Sequence, residues 1–75
     1  MHQYGTIQIR VKEQVAKSGI SRRKVRQRAG LQRGQMNRYW DNAITRLDKT
    51  VLARLCTVLQ CEVGDLLEFV LPEEQ

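Results

Sequence analysis

A single glycine, Gly30, separates two stretches that each carry helix signals, and no other feature restricts the fold of this chain so tightly. Upstream, Ser21-Arg-Arg-Lys-Val-Arg-Gln-Arg-Ala29 opens on an N-cap residue, whose hydroxyl accepts a hydrogen bond from an otherwise unpaired first-turn amide. Val25 and Ala29, four residues apart, give that helix an inward face. Downstream, Leu31-Gln-Arg-Gly-Gln-Met-Asn-Arg-Tyr-Trp40 resumes helical spacing. Met36, Tyr39 and Trp40 fall at i, i+3, i+4 on one face, while Arg33, Gln35, Asn37 and Arg38 occupy the other. Leu31 plugs the turn. The expectation is helix, glycine turn, helix over 21–41, with the two helices at 21–29 and 32–41. Gly34 weakens the second of them by up to about 1 kcal/mol relative to alanine, which asks for a packing or docking reason.

The flanks are shorter elements. Thr6-Ile-Gln-Ile-Arg10 alternates polar and apolar residues, the period of a half-buried strand. Val11 and Val15 then lie one helical turn apart, and Gly19 is a helix-ending glycine, so a helix is expected over 11–18. Asp41 to Arg46 reads as a polar connector. Asp48 is the expected N-cap of a fourth helix, with Leu47 and Leu52 at the positions of a hydrophobic staple. Leu52, Leu55, Cys56 and Leu59 form its inward stripe. Val63-Gly-Asp65 opens a last short helix through Leu67. Residues 68–71 look extended, and the acidic tail 72–75 is expected to fray. A lone strand leaves its backbone groups unsatisfied, so strands 6–10 and 68–71 are expected to form a small ribbon, whose free edge either joins a second subunit by strand addition or stays open in a monomer.

Charge is distributed unevenly. Lys17 to Arg46 holds nine Lys and Arg against Asp41 alone, a local charge of +8, whereas residues 47–75 carry −4. A localised basic surface is the footprint of a polyanion binder. A merely solvated basic face is the plain alternative, and the coincidence of the charge with the helix pair argues against it. With 75 residues the chain is expected to be one domain with a thin core, helped by a partner chain. No apolar run approaches roughly 18 residues, so no membrane span is expected. Residues 1–6 lack the basic-then-apolar pattern of a signal peptide, which leads to an expectation of a cytoplasmic protein.

Ile20-Ser21, Val25, Gly30-Leu31, Met36, Leu47-Asp48 and Leu52-x-x-Leu-Cys-x-x-Leu-x-Cys61-x-x-Gly-Asp-Leu-Leu67-Glu together resemble the Cro/CI phage-repressor type of helix-turn-helix domain. Within it, the chain is similar to a compact bacterial subgroup of small transcriptional regulators ending in Gly-Asp-Leu-Leu-Glu. The likeness spans roughly residues 9–70. It implies an all-α, compact five-helix fold, to which the ribbon would be added, with the third helix in the major groove of double-stranded DNA. Carried onto this chain, the base-reading candidates are Gln32, Arg33, Gln35 and Arg38. Arg22, Arg23, Asn37 and Arg46 are the candidates for phosphates. The chemistry is sensible in itself, since arginine bonds guanine bidentately and glutamine can do so with adenine. Arg26 departs from the pattern, standing where such domains carry a small residue between close helices. It must snorkel past the contact or spread the pair.

Other chemistry has little to build on. No nucleophile has a nearby base, and no glycine-rich phosphate loop is present, so no enzyme and no cofactor are expected. Cys56 and Cys61 read as small hydrophobes, a disulfide being rare in the cytosol and zinc needing two more ligands. His2 stands alone and is expected to be inert. Tyr39 and Trp40 suit a core better than a base-stacking platform. The functional expectation is a sequence-specific regulator, acting as a repressor and as a homodimer. Its rival is an interaction module, such as an antitoxin or an accessory subunit of a mobile-element or defence complex, that turns the basic face toward an acidic protein partner. RNA recognition is weaker, since no RNA-binding motif accompanies the charge.

Overall fold

The computed structural model of the chain describes residues 4–72; His2 and the tail beyond Pro72 lie outside these residues. Among them the chain runs β1 (Thr6–Ile9), α1 (Val11–Ser18), α2 (Arg22–Ala29), α3 (Arg33–Trp40), α4 (Lys49–Leu59), α5 (Val63–Leu66) and β2 (Leu67–Val70). Five helices with one two-stranded sheet is the architecture expected from the sequence. Several helix boundaries have a local cause. Ser21 Oγ accepts the Lys24 N–H at 3.2 Å, and Asp48 Oδ1 accepts the Thr50 N–H at 2.8 Å, so both residues cap rather than join their helices. Gly19 and Gly30 adopt φ of 73° and 67°, the left-handed conformation that ends α1 and α2.

The ribbon is antiparallel, with Ile9 opposite Leu67 and Thr6 opposite Val70. Two expectations shift here. Arg10 leaves the ladder and turns its N–H onto Leu66 O at 2.6 Å. Leu67, expected as the last residue of the short helix, is instead the first of β2, with φ −124° and ψ 135°. One turn of α5 suffices to sink Leu66 completely, after which the backbone extends to pair with Ile9. The ribbon's apolar face is only half used. Ile9 is buried against the core, whereas the opposed pair Ile7 and Phe69 remains 53% and 61% exposed.

The core joins every helix. Val11, Val25, Met36, Tyr39, Leu55 and Leu66 are its most completely buried side chains, and Leu31 plugs the α2–α3 turn as expected. On α4 the buried stripe is Val51, Leu52, Leu55 and Leu59, with Cys56 half-buried beside it. Leu47 stays 44% exposed and adds little to a staple. Polar contacts of Tyr39 and Asn42 fix the C-terminal end of α3. Tyr39 Oη accepts the Asp48 N–H at 3.1 Å, bracing α3 against the cap of α4. Asn42 follows α3 with φ 57°, a left-handed conformation that asparagine tolerates. Its Oδ1 accepts the Ile9 N–H at 3.0 Å and its Nδ2 donates to Gln8 Oε1, tying the end of α3 to β1.

Candidate nucleic-acid interface

The 3.6-residue period of α3 sorts its side chains into two sets. Met36 and Tyr39 are buried, and Arg33, Gly34, Asn37 and Arg38 form an exposed stripe. Gln32 lies exposed at the head of the helix. Gln35, expected on the same open face, is half-buried instead and turned toward the connector between α3 and α4. Its Oε1 accepts the Gln32 N–H at 3.0 Å, satisfying a donor that the helix start would leave unpaired. Its place in the sequence suits a base reader, and in the fold it is also part of a cap.

Beside the stripe, α2 and α3 enclose a groove of about 610 Å³ lined by Arg22, Arg23, Arg26, Arg33, Met36 and Asn37. Arg22 is not a free cation on its rim. Its guanidinium lies 4.4 Å from the centre of the Trp40 ring and donates through Nη2 to Asn37 Oδ1. Trp40 is therefore half-buried, with the core on one side and Arg22 on its face. Arg26 takes the first of its two expected routes. It snorkels around the turn, and Nη1 donates to Leu31 O at 3.3 Å. Arg54, on α4, donates to the neighbouring Gly30 O at 3.4 Å. Two guanidiniums thus sit on the carbonyls that follow the C-terminus of α2, where positive charge is favoured by the helix dipole. Arg54 was not singled out from the sequence; its place next to buried Leu55 gave no hint of a partner 24 residues upstream.

Arg46 stands apart from these residues, exposed on the connector. It shares with Arg38 and Lys49 a second groove of about 750 Å³ along residues 43–51. Lys49, at the start of α4, was also missed, because the connector's path alone brings it beside Arg38. Asp48 also lines this second groove and caps α4, and no carboxylate forms an ion pair with the basic residues of either groove among the described residues. Among the described residues, the ion pairs both belong to Arg10, with Glu68 at 3.1 Å and Glu13 at 3.9 Å, and Arg10 lies outside α2 and α3. The basic face is thus available to an outside polyanion.

Cys56 and Cys61 are both free thiols. Burial, chiefly, pushes the Cys61 thiol up to about 11, so it stays neutral near pH 7 and packs as a small apolar group. No three His, Cys, Asp or Glu side chains come together among the described residues, and no helix there is long and apolar enough to cross a membrane.

A helix, a glycine turn and an exposed, arginine-bearing second helix define a helix-turn-helix domain. The family model for the Cro/C1-type helix-turn-helix DNA-binding domain matches residues 10–72, and the chain belongs to that family. Neither the curated proteins nor the solved structures contain a match to the chain.

Gly34 now has a sharper explanation. A methyl group added there meets no heavy atom within 4 Å, so nothing inside the chain requires glycine. Gly34→Ala is therefore expected to stabilise the free domain by up to about 1 kcal/mol, read as a higher urea midpoint. A lowered midpoint would show that the glycine has an internal packing role after all.

Proposed function

We propose that this chain is a sequence-specific regulator of transcription that acts as a repressor and reads double-stranded DNA in the major groove with α3. One observation carries the reading: a Cro/C1-type helix pair presents an exposed stripe of Arg33, Asn37 and Arg38 with no carboxylate paired to it among the described residues. In this proposal Gln32, Arg33, Gln35 and Arg38 contact base edges. Arg23 and Arg46, on either side of the stripe, contact phosphates and set the register. Asn37 and Arg22 contribute their remaining donors at the groove between α2 and α3. The proposal extends to the compact bacterial subgroup, on the resemblance carried by Gly-Asp-Leu-Leu-Glu, and to a cytoplasmic site of action.

A domain this small gains specificity by pairing, and a homodimer is part of the proposal. The half-exposed Ile7–Phe69 pair and the unpaired edges of a two-stranded ribbon support it. The rival reading as an interaction module drew on Arg26 and on the crowded charge of α2; the bond of Arg26 to Leu31 O answers the first of these, and the second stays with the acidic-partner outcome of the test below.

The test is selection of bound sequences from a random duplex library at about 150 mM salt, where nonspecific contacts are weakened. The expected result is a short two-fold motif with half-site centres about 34 Å, or 10–10.5 base pairs, apart. Salt-sensitive binding without an enriched motif would overturn the reading and turn attention to acidic protein partners.

A further inference from the structure

The α2–α3 groove and the connector groove both include side chains of α3, the helix proposed to read DNA. A third groove, of about 490 Å³, lies between α2 and α4 and includes none. Arg28, Lys49 and Arg54 supply its charge, and all three are exposed. None of them makes an ion pair among the described residues. Arg54 is held at one side by its bond to Gly30 O at 3.4 Å, and Thr57 turns its hydroxyl back onto Ala53 O at 2.8 Å. With Ala53, Thr57 and Val58 in the lining, the groove surface is mainly apolar, whereas polar surface is the larger share of the α2–α3 groove. A phosphate gains nothing from apolar lining. An apolar side chain flanked by carboxylates gains from both the lining and the charge.

This chain carries such a segment at the start of α5. Val63 is 48% exposed, with Glu62 before it and Asp65 two residues after, both exposed. A Cβ added at Gly64 would meet nothing within 4 Å, so no other part of the chain crowds this turn. Glu62 and Asp65 cap α5 with their side chains, the Asp65 Oδ2 accepting the Glu62 N–H at 2.9 Å. The cap fixes the two carboxylates on either side of Val63 and leaves each its charge and further lone pairs. Asp65 also borders Arg10 and Lys17, without an ion pair to either.

We propose that the α2–α4 groove of one copy receives the Val63 turn of a second copy, joining copies head to tail. Three cations then face two carboxylates, and an apolar knob meets an apolar lining. The two surfaces have no residue in common, so one copy can offer both at once. Such a contact has no two-fold axis, and it repeats from copy to copy until a ring closes or a filament grows. Ribbon pairing differs, since a two-fold axis completes it at two copies. The head-to-tail contact is small and weak by itself. It matters where copies already sit side by side on a duplex, because occupation of one site then assists the next. That consequence rests on the regulator reading; the association itself does not.

The test is sedimentation equilibrium of the full chain without DNA, at about 50 mM salt and up to about 500 µM protein. The weight-average mass is expected to keep rising past two copies, and the rise to be lost at about 300 mM salt. Arg28→Glu reverses a charge of the groove and Val63→Ser removes the knob; each should weaken the contact about tenfold, with the fold followed by circular dichroism. Lys49→Glu, where a negative charge suits the start of α4, checks that Arg28→Glu acts through the groove. An equimolar mixture of Arg28→Glu and Val63→Ser should be heavier on average than either alone, because each supplies the surface the other lacks. A mixture no heavier than its components would overturn the pairing of these two surfaces. A mass that levels off at one or two copies, unchanged in every variant, would leave the groove to an acidic segment of another protein and sink the proposal. Intact self-association in Arg28→Glu, with weaker binding to all duplexes alike, would hand the groove to phosphates instead. The regulator reading stands or falls separately, on the selected motif.

Discussion

Truncating Tyr39 to alanine is expected to cost about 4 kcal/mol, a large share of the domain's stability at 25 °C. The ring is 2% exposed, among the largest fully buried side chains of the chain. A domain of this size has total stability on the order of 4–11 kcal/mol, so such a loss removes much or all of it. The hydroxyl adds a second role by accepting the Asp48 N–H at 3.1 Å, which joins α3 to the start of α4. Tyr39→Phe separates the two roles and should cost only about 1 kcal/mol. Urea titration followed by the fluorescence of the single tryptophan, Trp40, measures both. If Tyr39→Ala kept a midpoint close to that of the parent, the view that α3 is held mainly by this ring would be wrong.

Arg33→Ala is expected to weaken binding to the selected operator about 10- to 100-fold, with little change on a random duplex. Arg33 is exposed on the stripe and lines the α2–α3 groove. Its loss should therefore remove base contact without disturbing the fold. Arg46→Ala provides the contrast. It sits on the connector, and its loss should weaken all duplexes alike while lowering the salt slope by about 1. Anisotropy titrations at several salt concentrations distinguish the two patterns. Equal losses on operator and random duplex for Arg33→Ala would reassign that residue to the phosphates.

The parts of this molecule legible in the sequence are those governed by neighbours along the chain. Ser21, Asp48, Gly19 and Gly30 act within a turn of themselves, and each ends or starts a helix where its chemistry dictates. The exposed stripe on α3 follows from helical period alone. Leu67 was misplaced because Leu66 and Leu67 are equally apolar, and four residues are too few to tell a helix turn from a strand. What decides it is Ile9, nearly the whole chain away. The state of the site was less legible for the same reason. Arg22 and Asn37 are fifteen residues apart, and only the packing of α2 on α3 brings the guanidinium between an amide and an indole. A list of residue types shows which groups can donate; it does not show which acceptors the fold has already engaged.

The Asn42 side chain gives the fold an unusual closure. Through it, the end of α3 is fastened to β1, and β1 is laddered to β2, so both strands of the ribbon are tied to the helix proposed to read DNA. Clipping away the first nine residues would therefore do more than shorten the molecule. It would unfasten α3 at its far end and strip β2 of its pairing in the same cut. The ribbon acts as a buckle on the proposed reading helix, and a protease that opened it is expected to weaken DNA binding without touching an arginine of α2 or α3.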